Sequence, residues 1–572
     1  MTVADLLKHW KLVENPFRGE EARLDDVLAR MSKQDVLPRS VDSRMASVDV
    51  GPKPQSNSEA ASTSESTSLV PTSSQPTLTN SSRLRPVHHG EFEKILGDLN
   101  RPNSAVVFGE KGSGKTAIRL QIAQRIAAHN AVHVGARVLL IPYDDLNGVL
   151  DRLHERVNGK TPLDSLQKIR LVDHLDALLL NTVPRVIDAV LGKPRGVAAD
   201  PLPVSDAAGG NALANSTKAH KRLDDAAKRD LLLLQALYDH PEHAAQRTKL
   251  LRRKLRISRG IMPSLENVLA FVGPIVILAS LAWTELFWST FSPPAGLDKD
   301  WVKWATAGFT GVFIFWLLKI SLWDKLRLIR TAHRVRRQIR VSARGDISYA
   351  RSLKQLGPIL GEADALPMTD SEEARYNLFG RLRRVLRSLG YAGVIVIVDR
   401  MDEPTLVSGD ADRMKAVVWP LLNNKFLQQE GVGIKMLLPM ELRHALFRES
   451  SAFFQEARLD KQCLVERLGW TGVSLYDLAE ARLTACTIPG LVPVTLVDLF
   501  EEDVTRQDLI DSLDRMHQPR DAFKFLYRCM TEHCSSYGGG DRRMRIPRHI
   551  MQSVLKQEVD RVQGLYRGIR PG

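Results

Sequence analysis

The fold of this chain is decided by the stretch Gly109-Glu110-Lys111-Gly112-Ser113-Gly114-Lys115-Thr116. An apolar run ending at Phe108 predicts a buried strand before it, and the residues from Lys115 to Ala127 predict a helix after it. Such a turn lets consecutive backbone N–H groups point at phosphate oxygens, and the helix adds its positive N-terminus. Lys115 is expected to bridge the β- and γ-phosphates of a nucleotide, and the Thr116 hydroxyl to ligate Mg²⁺. The alternative, a chance glycine-rich turn, is disfavoured by the strand, the helix and a second motif.

The second motif reads Val394-Ile395-Val396-Ile397-Val398-Asp399-Arg400-Met401-Asp402-Glu403. Its apolar residues predict a central strand that delivers the carboxylate of Asp399 to the metal, through water. Asp402 and Glu403 follow within reach of the γ-phosphate, and Glu403 is the first choice to orient or deprotonate the attacking water. Arg400 stands where many ATPases carry their catalytic glutamate, which leaves the identity of the base open. Solvated loop carboxylates are the alternative for Asp402 and Glu403.

Further charged residues are candidates for sensing the γ-phosphate. Residues 433–438 predict another strand, with Glu441 or Arg443 just past its end. Arg458 is a candidate charge sensor or finger, and Arg520, which follows Pro519 at the start of a predicted helix, is a better one. The alternative for each arginine is an ordinary surface or salt-bridge residue.

Two apolar stretches, residues 267–291 and 302–323, lie between the two motifs, and each is long enough to cross a bilayer. Both motifs must meet around one phosphate chain, so both must lie on the same side of the membrane. Two crossings satisfy that requirement. The alternative is a buried helical hairpin in a soluble core, but the length of the stretches, their tryptophans and their charged flanks favour the membrane.

The positive charge of the chain is concentrated beside these stretches. The formal net charge is +14, and residues 247–259 hold seven basic and no acidic residues, while residues 325–344 hold eight and none. Basic residues beside a span mark the cytoplasmic side and attract anionic lipid headgroups by about 1 kcal/mol each. The sequence therefore predicts an integral protein of the inner or plasma membrane, with both termini and both motifs in the cytoplasm. It predicts no basic patch elsewhere for nucleic acid.

At 572 residues the chain is too long for one compact core. The predicted fold class is α/β: a three-layer α/β/α core with a mainly parallel sheet, an inserted two-helix transmembrane hairpin and a C-terminal helical lid. The predicted domains are an N-terminal segment packing on the core (1–40), a disordered Ser/Thr/Pro-rich linker (41–85), the first half of the core (86–192), a flexible linker (193–222), the membrane insertion (223–345), the second half of the core (346–470) and the lid (471–572).

The two motifs resemble those of P-loop NTPases of the additional-strand class. The five residues from Asp399 look like the D-x-x-D-E form of the signal-transducing NACHT and KAP ATPases. KAP-type proteins are similar in a further respect, because they carry paired membrane helices inserted within the NTPase domain. The resemblance covers roughly residues 86–150 and 374–530.

Two other features are similar to ORC-type and ExeA-like AAA ATPases. These are Asn15-Pro16-Phe17 and the Pro519-Arg520 helix start. In that group the N-terminal segment lies near the nucleotide base, and the Pro-Arg helix acts as a nucleotide sensor. The motifs are thus specific for an additional-strand ATPase but not for one family.

The leading functional hypothesis is a membrane-tethered, Mg²⁺-dependent ATPase that acts as a nucleotide-driven switch on an unidentified protein partner. ATP and Mg²⁺ are the expected cofactors, and a finger supplied in trans would require a homo-oligomer. The first alternative is a membrane scaffold that binds nucleotide with little hydrolysis. The second is a membrane-linked DNA-binding AAA-type ATPase, which ranks low because nucleic acid is not an expected partner.

Overall fold

The structure, a computed structural model, describes residues 2–17, 89–157, 159–191, 223–257, 324–357, 366–447, 458, 462–537 and 543–566, with scattered residues between 272 and 315. The strands are β1 (Ala105–Gly109), β2 (Arg137–Tyr143), β3 (Tyr391–Val398), β4 (Val432–Pro439) and β5 (Cys463–Val465). The helices before residue 258 are α1 (Val3–His9), α2 (Phe92–Leu96), α3 (Lys115–Val132), α4 (Asn147–Val157), α5 (Pro162–Leu166), α6 (Leu171–Leu191), α7 (Asp225–Tyr238) and α8 (Ala244–Lys254). Those after residue 323 are α9 (Asp324–Gln338), α10 (Asp346–Leu353), α11 (Glu372–Ser388), α12 (Ala411–Val418), α13 (Asn424–Leu427), α14 (Met440–Phe447), α15 (Gly472–Cys486), α16 (Arg506–Asp514), α17 (Pro519–Ser536) and α18 (Arg548–Tyr566).

The five strands form one parallel sheet in the order β2-β3-β4-β1-β5. Strand β4 therefore lies between β1, which leads into the glycine-rich stretch, and β3, which ends just before Asp399. Because the strands are parallel, their carboxyl ends meet at one edge of the sheet. The predicted α/β class with a parallel sheet is confirmed, and the two sequence motifs lie at the same edge.

Helices cover both faces of this sheet. On one face, Ile118, Ile122 and Ile126 of α3 pack with α2 against alternate residues of the strands. On the other, α6, α7 and α11 bury a larger apolar cluster against the remaining strand residues. The strands are apolar on both sides because both sides are covered, as is usual for parallel sheets.

The two ends of the predicted membrane insertion return to the same body. Helix α8 precedes the first apolar stretch, α9 follows the second, and both pack against α10. Arg252 of α8 donates from Nη1 to the carbonyl of Gln355 at 2.7 Å. The stretches themselves, 267–291 and 302–323, lie almost entirely outside the described residues, as do the predicted linkers 41–85 and 193–222. Among the residues that the structure describes, no helix is both long and apolar enough to cross a membrane.

Four arginines of the basic flanks turn toward the protein. Arg252 and Arg344 are buried, and Arg344 donates to the carbonyl of Ala236. The other two make ion pairs, which are Arg247 with Asp188 and Asp239, and Arg340 with Asp173. The prediction that the flanks face anionic headgroups is therefore wrong for these four. A guanidinium has five donors that suit buried carbonyls and carboxylates, so a count of charges does not tell which way a side chain points.

The last four helices, α15 to α18, form a separate apolar cluster. Leu6, Leu12 and Phe17 belong to that cluster, and Nε of Arg482 donates to the carbonyl of Pro16 at 2.5 Å. The prediction that the N-terminal segment packs on the NTPase core is thus wrong for its described part, residues 2–17. The apolar side chains of this segment are buried against α15 and α17 instead, where Phe17 stacks on Phe523.

Candidate functional site

The glycine-rich stretch forms a loop between β1 and α3. Gly112 and Gly114 have φ of +101° and +94°, a region that favours glycine over other residues. Nζ of Lys115 lies 2.7 Å from the carbonyl oxygen of Gly109 and 2.9 Å from that of Glu110. The ammonium of Lys115 therefore lies within the turn and is held by two carbonyl oxygens of the same loop.

Two side chains from the C-terminal part of the chain pack on this loop. Nε1 of Trp470 donates to the carbonyl of Ser113 at 2.8 Å. Arg520 lies so close to Gly112 that a Cβ at the glycine would be 2.9 Å from the Cβ of the arginine. Nε of Arg520 is buried and has no hydrogen-bond partner among the described residues. The start of α17 thus brings a cation with an unused donor to the loop.

Asp399 lies at the carboxyl end of β3 and is 2% exposed. Its Oδ1 accepts a hydrogen bond from the backbone N–H of Arg400 at 2.9 Å. Nη1 of Arg119 is 3.4 Å from Asp399 Oδ2 and 2.5 Å from Oδ2 of Asp144. Burial raises the pKa of Asp399 to about 6, although Arg119 and Lys115 act in the opposite direction.

Arg119 and Asp144 were not among the residues singled out from the sequence. Arg119 is buried on α3 four residues after Lys115, a spacing that places both side chains on one helix face. Asp144 directly follows β2, the neighbour of β3. The periodicity of α3 is therefore the signal that could have identified Arg119.

Several charged side chains of the site act on the ammonium of Lys115. Burial lowers the pKa of Lys115, while the carboxylates of Asp399, Asp402 and Glu441 act to raise it and Arg520 adds to the lowering. These interactions place three carboxylates and one guanidinium in the electrostatic neighbourhood of a single ammonium. Glu441 is the second residue after the end of β4.

The oxygen atoms at this edge suit a magnesium ion. Asp399 Oδ2 and Ser113 Oγ are buried and have no hydrogen bond among the described residues. Mg²⁺ prefers oxygen ligands and is commonly held by one or two protein oxygens together with substrate phosphates. Of the two predicted ligands, Asp399 thus offers a buried carboxylate oxygen of the kind that this ion prefers.

The other predicted residues are placed less favourably. Glu403 is half-exposed, and Nε of Arg400 donates to its Oε1 at 2.6 Å. Arg443 is held by an ion pair with Glu466 at 2.6 Å. Arg458 is exposed and has a φ of +44°, and its chain neighbours lie outside the described residues.

A chain of contacts leads from Asp399 to α9. The backbone N–H of Asp399 donates to the carbonyl of Tyr143 at 3.4 Å, and the hydroxyl of Tyr143 donates to Nδ1 of His174 at 2.8 Å. The neighbouring residue, Asp173, accepts hydrogen bonds on both carboxylate oxygens from Arg340, which lies two residues after the end of α9. The same sheet edge that carries the loop thus contacts the element that follows the second apolar stretch.

Comparisons of the chain with protein-family models, with curated proteins and with solved structures gave no match.

Proposed function

We propose that this protein is a membrane-anchored, Mg²⁺-dependent ATPase of the additional-strand P-loop class, which works as a nucleotide-driven switch. One arrangement carries the proposal: the glycine-rich loop with Lys115 follows β1, and Asp399 follows β3, which is separated from β1 by β4 at the same edge of the sheet. An interposed strand between the loop and the aspartate is the arrangement for which the class is named. The loop backbone would bind the phosphates, and Lys115 would neutralise their charge.

Each residue of the site has a role that follows from its position. Thr116 and Asp399 would hold Mg²⁺, which would supply positive charge at the oxygens between the β- and γ-phosphates. Asp402 is the better candidate to orient water, because it interacts with Lys115 whereas Glu403 pairs with Arg400. Arg520 would use its unpaired Nε to contact the γ-phosphate, so that the C-terminal helices act as a lid.

The contacts from Asp399 through Tyr143 and His174 to Asp173 and Arg340 give the switch an output. Movement of the end of β3 would change the position of α9, because Nε and Nη2 of Arg340, just after α9, donate to the two carboxylate oxygens of Asp173. An unidentified partner, in the membrane or in the cytoplasm, would read that change.

ATP turnover by the detergent-solubilised chain tests the chemistry. We expect Lys115→Ala to lose both binding and turnover, and Asp402→Asn to lose turnover while it still binds ATP. Lys249→Ala removes a charge from an exposed position on α8 and serves as the control. Equal turnover in all four proteins would refute the assignment, and an effect of Glu403→Gln alone would move the base to Glu403.

Thiol labelling tests the membrane arrangement. Single cysteines would replace Lys111 and Asp412 in a variant without the four native cysteines, which are Cys463, Cys486, Cys529 and Cys534. In intact cells an impermeant maleimide should reach neither position, and after permeabilisation it should reach both. Reaction of one position alone in intact cells would place the two motifs on opposite sides and end the proposal.

A nucleotide-binding scaffold with little hydrolysis is the second candidate. It is supported by the ion pair of Arg400 with Glu403, which occupies the carboxylate first expected to activate water. Tight ATP binding without phosphate release by the unmodified chain would select this function.

A further inference from the structure

A second cationic cavity lies between α7 and α11, well away from the glycine-rich loop. Its volume is about 710 Å³, and its lining includes five arginines, which are Arg229, Arg381, Arg383, Arg384 and Arg387. We refer to it as the arginine cavity. None of its arginines lies in the basic flanks 247–259 and 325–344, where the sequence analysis located the excess positive charge.

The arginine cavity lies at the edge of the sheet opposite to the loop. Arg383 packs over Gly431, and an ideal Cβ there would be 2.7 Å from Nη2 of the arginine. Gly431 precedes β4, whose last residue, Pro439, is paired with Gly109 at the loop edge. Eight residues of strand span roughly 26 Å. A ligand in the arginine cavity would therefore be separate from a nucleotide at the loop.

The charges of the lining do not balance. Among the described residues of the lining, two carboxylates, Asp230 and Glu430, accompany the five arginines, which is a formal excess of three positive charges. Asp230 is buried and already shared by Arg381 at 2.8 Å and Arg384 at 2.5 Å. Burial, and the like charge of Arg387, lower the pKa of Arg383. An anion in the arginine cavity would relieve this repulsion.

Two further residues of the lining leave room for a ligand. Gly380 is an exposed position of α11 at the cavity, and an ideal Cβ there would meet no described atom within 4 Å. Glycine inside a helix is unfavourable relative to alanine, and no neighbour here requires it. Tyr376 also lines the cavity, and its buried hydroxyl has no hydrogen-bond partner among the described residues.

We propose that the arginine cavity binds a small anion that carries two or more phosphoryl groups. Guanidinium groups on successive turns of one helix, with another from the facing helix, suit several phosphoryl oxygens at once. A concave site of this volume accommodates a small ligand. A free polyphosphate and the headgroup of an anionic lipid share this chemistry. The inference does not depend on the proposed function, since none of the lining residues belongs to the loop.

Calorimetric titration with inositol hexakisphosphate at fixed ionic strength tests the site. The full chain in detergent would carry Lys115→Ala throughout, so that binding at the loop does not contribute and the fate of the ATPase proposal has no bearing on the result. We expect Arg229→Gln with Arg387→Gln to weaken binding on the order of a hundredfold, because two charged contacts are lost. The control pair, Arg334→Gln with Arg337→Gln on exposed positions of α9, should change it less than about twofold.

Gly380 provides a test that leaves every charge in place. Gly380→Leu should fill the arginine cavity and weaken binding at least about tenfold, whereas Gly380→Ala should retain it. Absence of binding by the parent, an equal loss in the control pair, or full binding by Gly380→Leu would each overturn the proposal.

Competition separates the two sources of the ligand. Displacement of the probe by inorganic tripolyphosphate, but not by mixed micelles with phosphatidylinositol bisphosphate, would support a free anion. Displacement by those micelles, and not by micelles with phosphatidylcholine, would support a lipid headgroup.

Discussion

Replacing Arg340 by methionine tests whether the residue after α9 holds the fold together or faces the membrane surface. Nε of Arg340 donates to Asp173 Oδ1 at 2.9 Å, and Nη2 donates to Oδ2 and, at 3.0 Å, to the carbonyl of Lys168. The side chain of Asp173 is 3% exposed and that of Arg340 is 18% exposed. In Arg340→Met the carboxylate of Asp173 stays buried and loses both hydrogen bonds from the guanidinium. It keeps the hydrogen bond from the backbone N–H of Arg170 to Oδ2 at 2.9 Å.

Breaking a buried ion pair by removing one partner costs about 3–5 kcal/mol. The partial exposure of Arg340 reduces this, and we expect a loss of about 2–4 kcal/mol. The apparent melting temperature should fall by roughly 5–10 °C. Arg337→Met, at an exposed position of α9 three residues before Arg340, is the matched control and should change the free energy of unfolding by less than about 0.5 kcal/mol.

Thermal unfolding of the detergent-solubilised chain, followed by circular dichroism, measures these differences. Asp173→Asn combined with Arg340→Met should be less destabilised than the sum of the single variants, by about 1 kcal/mol or more. If Arg340→Met and Arg337→Met melt at the same temperature as the parent, Arg340 does not anchor α9. Its charge would then serve the membrane surface, as the composition alone suggested.

Three further changes have defined outcomes. Gly112→Ala should abolish nucleotide binding while circular dichroism stays unchanged. The residue has a φ of +101°, and a Cβ there would lie 2.9 Å from the Cβ of Arg520. Retained affinity would show that the loop tolerates the strained backbone and the close contact. Lys435→Met should raise the free energy of unfolding at pH 7 by about 2–4 kcal/mol, since burial in β4 lowers the pKa of this lysine to about 7; a less stable variant in urea titrations would contradict this. Burial lowers the pKa of His174 to about 4. The contribution of the neutral imidazole to the free energy of unfolding is therefore complete above pH 6.5 and is lost as the pH falls through 4, a loss of up to about 3 kcal/mol. His174→Gln should therefore lose less stability on acidification than the parent does. Asp176, whose pKa is raised by burial, has the opposite pH dependence and is present in both proteins. Parallel profiles of stability against pH would contradict this role of His174.

Local features of the sequence predicted the sheet and the loop well. Strand β1 follows the apolar run before Gly109, and β3 ends one residue before Asp399, as expected. These predictions succeed because a buried parallel strand needs a continuous apolar run, and a phosphate-binding turn needs glycine at fixed positions. Helix α17 also begins at Pro519, which places Arg520 in its first turn.

Features that depend on the path of the backbone or on distant pairing were not predicted. Glu403, the first choice as base, pairs with Arg400 three residues earlier, because the backbone turns at Arg400 with a φ of +60°. The arginine cavity joins α11 to Arg229, far earlier in the chain, and no local pattern records that two helices will meet. The inward direction of Arg344 and Arg340 was missed for the same reason, because charge counts carry no orientation.

The packing of residues 2–17 has a consequence for biosynthesis. The carbonyl of Pro16 and the guanidinium of Arg482 are 466 positions apart, so the first leaves the ribosome long before the second exists. Chains generally fold in the order in which they emerge, and closing so large a loop is slow. Leu6 and Phe17 can be buried against α15 and α17 only after those helices have been translated. Assembly of the helical domain that packs on the phosphate-binding turn therefore depends on two segments that are synthesised far apart in time.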